Sequence, residues 1–140
     1  MSIGSVVQDF LKKGLECTIL NSFEAGEPND SVTQAFKVKE QKILIVTDRE
    51  KEISFEKFLR YFKASPDMLK RNEISEVTGH PSDCLSPFGL KNPLKVYIDV
   101  SLKGNNCIQV SAGMKNFVVK LTPLEMAKVT GGQWIDICNN

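Results

Sequence analysis

The sequence is poor in the residues that most often carry chemistry or cross-links. It holds one histidine, His80, and four widely spaced cysteines, Cys17, Cys84, Cys107 and Cys138. There is no C-x-x-C pair, so a zinc site is not expected and no metal is assigned. Disulfides are not expected in a cytosolic chain of this size. Cys17, Cys107 and Cys138 read as small core residues of strands. The net charge of +1 excludes a global nucleic-acid footprint. No apolar run approaches the roughly 18 residues of a membrane span. The start, "MSIGSVVQDFLKKG", lacks the basic n-region and apolar centre of a signal peptide. A soluble cytoplasmic protein with no membrane partner is expected. No phosphate-loop or dinucleotide signature is present, and no cofactor is assigned.

Apolar residues make up 41% of the 140 positions, enough to bury a core, and the length fits a single domain over residues 1–140. Charge is uneven. Between Cys84 and Lys120, Lys91, Lys95, Lys103, Lys115 and Lys120 stand against Asp99 alone. Such an excess suits either a solvated face or a phosphate-binding patch.

The spacing predicts a helix over 6–13, capped by Ser5 and Gln8, with Val6, Val7, Phe10 and Leu11 on one apolar face. "ECTIL" reads as a strand. "SVTQAFKV" and "KILIVTD" read as a hairpin across "KEQ". A helix over 55–62 is capped by Ser54. A short helix, "NEISEVTG", is capped by Asn72 and stopped by Gly79. Strands follow near 95–100, 107–111 and 117–121. "TPLEMAKVTGG" carries full helix punctuation: Thr122 caps, Pro123 opens, Glu125 closes the box and Gly131 ends it. "QWIDIC" is a last strand. The sum is an α+β domain, with a mixed, mostly antiparallel curved sheet and flanking helices. A long Gly- and Pro-rich loop, 79–94, stands before one clean strand, and such loops are more often functional than mere connectors.

The segments "EISEVTG", "LSPFGLK", "VYIDVSL", "IQVSAG" and "FVVKLTPLEMAKVTGG" occur in an order that resembles the YbaK/ProX family of aminoacyl-tRNA deacylases. These are relatives of the prolyl-tRNA synthetase editing domain. The resemblance runs from about Glu73 to Gly132. It implies a pocket for the 3′ aminoacyl end of a mischarged tRNA, and hydrolysis of the ester joining amino acid to ribose. It implies tRNA as partner and no cofactor. Ester hydrolysis needs donors where the oxyanion develops, and glycine-rich turns let backbone N–H groups approach closely. On that basis Gly79, Ser86, Pro87, Phe88, Gly89 and Ala112 are candidate substrate-binding residues, with Asp99 at its strand end. Ser111 and Gly113 are candidate catalytic residues. Phe36, Phe88, Ile108 and Met114 are candidate pocket lining.

The sequence also departs from the family pattern. Family members carry lysine on an early strand, in a pattern like V-x-K-[ST]-L. The match in "SVTQAFKV" places Gln34 at that lysine and Ala35 at the hydroxyl residue. Lys37 falls on the other strand face by alternation, so Gln34 is expected to face the site. The family's G-G before the Ser-Pro turn is replaced by Asp83-Cys84. Val118 stands where some members carry an acid. "FEAGEPND" is short for the small helix found there, and the aromatic of the first strand matches Ser22 or Phe23. Two functions therefore stand side by side: a trans-editing deacylase, or a catalytically impaired member that binds tRNA ends, nucleotides or a protein. A thiol role for Cys84 is opposed by the neighbouring Asp83 charge.

Overall fold

A computed structural model of the chain describes residues 2–21 and 31–140. The expectations for "FEAGEPND" and for Ser22 or Phe23 fall outside the described residues. Four α-helices and seven strands are seen among them: α1 (Ser2–Lys12), β1 (Thr18–Asn21), β2 (Ser31–Val38), β3 (Gln41–Asp48), α2 (Phe55–Phe62), α3 (Arg71–Thr78), β4 (Lys95–Asp99), β5 (Ile108–Ser111), β6 (Phe117–Leu121), α4 (Pro123–Thr130) and β7 (Gln133–Ile135). Short 3-10 turns lie at Ser82–Cys84 and Val100–Gly104. No helix among the described residues is long and apolar enough to cross a membrane.

The strands form two sheets rather than one curved sheet. One has the order β1-β6-β5 and the other β2-β3-β4-β7. The first sheet is antiparallel throughout. In the second, β2 pairs antiparallel with β3, whereas β3–β4 and β4–β7 are parallel. The sheets are joined where the Ser31 hydroxyl donates to the Gln109 carbonyl at 2.9 Å.

Strand β3 shows why the second sheet is two-sided. Ile43, Leu44, Ile45 and Val46 are all buried, as expected of a strand covered on both faces. Alternation sends Leu44 and Val46 into one core with Val6, Phe10, Val110 and Val119. Ile43 and Ile45 enter a second core with Phe36, Phe58 and Ile137. The β2–β3 hairpin turns at Lys39 and Glu40, both at positive φ, which a tight two-residue loop requires.

Helix α4 is capped as its sequence predicts. Glu125 N–H donates to Thr122 Oγ1, and Thr122 N–H donates to the Glu125 carboxylate at 2.8 Å. Two other helix starts differ. Helix α1 begins at Ser2, so Ser5 lies inside it. Helix α3 begins at Arg71 instead of after Asn72, because Glu73 reaches back to the Lys70 N–H at 3.1 Å. Val6 and Phe10 are buried as expected, whereas Leu11 is 58% exposed.

Asp99, at the end of β4, is 1% exposed. Its carboxylate accepts N–H donors from Ile137 at 2.8 Å, Ser101 at 3.0 Å and Cys138 at 3.2 Å. Burial pushes its pKa up, but these contacts from Ser101, Ile137 and Cys138 outweigh burial and hold it below the usual carboxylate value. The same residue explains Cys138. Burial, and then the Asp99 charge, push that thiol up to about 12. Cys138 is an inert core thiol, and Asp99 is the fastener of the C-terminal segment.

Candidate active site

A cleft of about 400 Å³ opens where the two sheets meet. Strand β2 contributes Ser31, Val32 and Thr33, and β5 contributes Gln109 and Ser111. The turn after β5 adds Met114, Lys115 and Asn116, and β6 adds Phe117 and Val118. Residues 82–85 and Arg49 close the remaining sides. The cleft side of the β1-β6-β5 sheet follows from register. Ser111 pairs with Val118 and Gln109 with Lys120, so these residues share the face opposite the buried Val110 and Val119.

Ser111 is the centre of the arrangement. Its hydroxyl donates to the Cys84 carbonyl at 2.9 Å and accepts the Gly113 N–H at 3.2 Å. One side chain therefore ties the 82–85 segment to the β5 turn. The 82–84 turn is also held by Cys84 N–H donating to the Pro81 carbonyl at 3.2 Å. On its other side Arg71 Nε donates to the Ser82 hydroxyl at 3.2 Å. The Cys84 thiol is pushed up by burial, then by the charge and hydrogen bond of Asp83. It stays protonated, which does not suit a nucleophilic thiol.

The Ser-Pro-Phe-Gly turn lies elsewhere. Ser86, Pro87 and Phe88 are buried. The Ser86 hydroxyl accepts the Phe88 N–H at 3.1 Å. Phe88 packs edge-on against Phe10 of α1, ring centroids 5.0 Å apart. Gly89 N–H donates to the Asp9 carboxylate at 2.7 Å. A Cβ on Gly89 would meet Val6 N at 2.8 Å and Ser5 Cβ at 2.9 Å. The turn is thus a latch that seats α1 on the core.

His80 belongs to the latch. It is 1% exposed, and its Nε2–H donates to the Phe88 carbonyl at 2.6 Å. Burial lowers its pKa, against the raising effects of that carbonyl and of Asp9. Nδ1 has no hydrogen-bond partner among the described residues. The ring is neutral and does not line the cleft.

The sequence-predicted residues therefore separate. Ser111 lines the cleft and Gly113 sits between the lining residues Ser111 and Met114. Gly79, Ser86, Pro87, Phe88, Gly89, Asp99 and Ala112 do not line it. Several of them have their backbone N–H groups engaged within the fold. Gly79 N–H donates to Ser75 O and Ala112 N–H to Phe117 O. Of the four candidate lining residues Met114 is in place, whereas Phe36, Phe88 and Ile108 are buried in the cores. Gln34 lies on the opposite face of β2, in a separate hollow with Phe36, Phe55 and Met68. The cleft-facing neighbour is Thr33. A one-residue difference in strand reading reverses the face, and this is the correction for Gln34. Sequence reasoning missed Ser31, Thr33 and Arg49. The signal was the polar alternation Ser31-x-Thr33 against apolar Val32, Phe36 and Val38. No group of three metal-binding side chains is found among the described residues.

Residues 23–129 match the aminoacyl-tRNA editing domain family. The uncharacterized protein YwhH of Bacillus subtilis (strain 168) is 36% identical over 102 residues, which cover 72% of this chain and 65% of that relative. The match thus spans less than two thirds of the relative's length. Among solved structures, a protein described as a candidate trans-editing enzyme for prolyl tRNA synthetase superposes with a TM-score of 0.88 at 20% identity, covering 99% of this chain and 98% of that one. The hypothetical protein APE2540 superposes with a TM-score of 0.84 at 18% identity, covering 96% and 99%. At these identities the likeness shows the fold. The resemblance read from the ordered segments and the family match agree, and the chain belongs to the aminoacyl-tRNA editing domain family.

Proposed function

We propose that the chain is a single editing domain over residues 1–140 that hydrolyses, in trans and in the cytoplasm, the ester of a mischarged aminoacyl-tRNA. The 3′ aminoacyl end would enter the cleft described above. The observation that carries this reading is the make-up of the cleft. It offers an apolar wall of Val32, Leu85, Met114 and Phe117, the hydroxyls of Ser31, Thr33 and Ser111, and the cations Arg49 and Lys115. An aminoacyl-adenosine presents the complementary set: apolar faces, ribose hydroxyls and a phosphate. The volume falls in the range of small-molecule sites, about 300–1,000 Å³.

The chemistry would rest on placement. Asp83 is the one carboxylate lining the cleft, and no histidine lines it among the described residues. Holding ester and water in an attack geometry supplies much of a hydrolytic barrier by itself. Polar donors near the ester oxygen supply more. The test is a panel of mischarged tRNAs incubated with the pure protein. Deacylation of at least one above its spontaneous rate is expected. No acceleration for any of them refutes the hydrolytic reading.

A second reading has its own observation. The family lysine is absent from both Thr33 and Gln34, and the Gly79, Gly89, Ala112 and Gly113 N–H groups all have partners within the fold. A catalytically impaired member that binds tRNA ends would show salt-sensitive binding with no deacylation in the same panel.

A further inference from the structure

An aminoacyl ester carries one cationic group of its own, the α-ammonium. The cleft that would receive it is lined in part by the side chains of Arg49 and Lys115. It contains one carboxylate among the described residues, Asp83. We infer that Asp83 binds the α-ammonium of the aminoacyl group and so orients the amino acid in the cleft. This rests on the aminoacyl-end-binding part of the reading above.

The backbone around Asp83 is fixed before any ligand arrives. Ser82 is held by Arg71 Nε at 3.2 Å, and the Cys84 carbonyl by the Ser111 hydroxyl at 2.9 Å. The Cys84 N–H closes the turn onto the Pro81 carbonyl at 3.2 Å. A turn pinned on both sides of Asp83 loses little backbone freedom on binding. The carboxylate makes no ion pair among the described residues. Asp83 is also exposed, so a ligand can reach it.

The test uses an adenosine carrying alanine through a 3′ amide, which resists hydrolysis, and the same compound N-acetylated. Binding of both to the wild-type protein and to Asp83→Asn is measured by calorimetry. The wild type is expected to bind the free-amine form about tenfold or more tighter than the acetylated form, the range of a charge-assisted hydrogen bond. Asp83→Asn is expected to remove that preference by weakening the free-amine form alone. Equal wild-type binding of the two forms, no wild-type binding of either, an equal loss for both in the variant, or no loss at all overturns the assignment. Deacylation of mischarged tRNA is scored separately. A protein that prefers the free amine through Asp83 but hydrolyses nothing refutes catalysis and upholds the inference.

Discussion

The Ser111 hydroxyl spans the gap between two chain segments, donating to the Cys84 carbonyl at 2.9 Å while accepting the Gly113 N–H. Ser111→Ala leaves both backbone groups without that partner. The expected loss is about 1–3 kcal/mol, the cost of orphaning part-buried polar groups. Urea unfolding measures it. If stability is unchanged, water replaces the hydroxyl and the strut is dispensable. Any deacylase activity should fall with the strut, because the 82–85 wall would lose its anchor.

Gly89 sits at φ 60°, against the backbone of α1. Alanine there must hold a left-handed conformation and displace α1. Backbone strain alone costs on the order of 1–3 kcal/mol, and the contact with Val6 N adds to it. Asp9→Ala should weaken the same latch from the other side. Amide hydrogen exchange across residues 2–12 is expected to speed up in both variants relative to β3. Unchanged protection of α1 in both would contradict the latch.

Adjacent positions on β2 allow a paired substitution. Thr33→Lys directs an ammonium into the cleft, and Gln34→Lys directs one into the hollow on the other face, near Lys51. If the absent family lysine limits the rate, Thr33→Lys should raise deacylation by about 10²-fold, the scale of one donor to a developing oxyanion. Gln34→Lys should leave the rate within about twofold. A gain in Gln34→Lys alone would reverse the assignment of faces.

Acid should destabilise the protein in two steps. His80 is held neutral, with a pKa below its ordinary value, so the unfolded chain binds its proton first. Stability is then full above about pH 6.5 and declines as pH falls through the lower folded value, by at most about 1.4 kcal/mol per pH unit. His80→Gln should remove this step. Asp99 is also depressed, so its contribution is present above about pH 3.9 and is lost below that. Unfolding free energies from pH 8 to pH 3 test both, and a flat profile between pH 7 and pH 5 would contradict the His80 step.

Much of the architecture was legible in the sequence because its signals are local. The Thr122–Glu125 box, the Gly131 stop and the β2–β3 hairpin need no knowledge of distant residues. The parallel pairings of β4 with β3 and β7 left no such mark, and neither did the division into two sheets. Within the site, Ser111 follows from the family resemblance of "IQVSAG", and it lines the cleft. Gln34 was placed on the cleft because a motif was aligned one residue away from Thr33, and pleat period makes that shift decisive. The glycine of the Ser-Pro-Phe-Gly turn has a donor that would suit a substrate cradle. The partner of that donor, Asp9, lies 80 positions earlier in the chain, and spacing alone does not reveal such a pair.

The latch at Gly89 changes what its motif reports. A Ser-Pro-Phe-Gly turn that clamps an N-terminal helix marks ancestry and architecture, whatever reaction runs in the neighbouring cleft. Chains gathered by that tetrapeptide would share a way of holding their first helix. The tetrapeptide itself does not line that cleft, which is built instead by residues such as Thr33, Asp83 and Ser111.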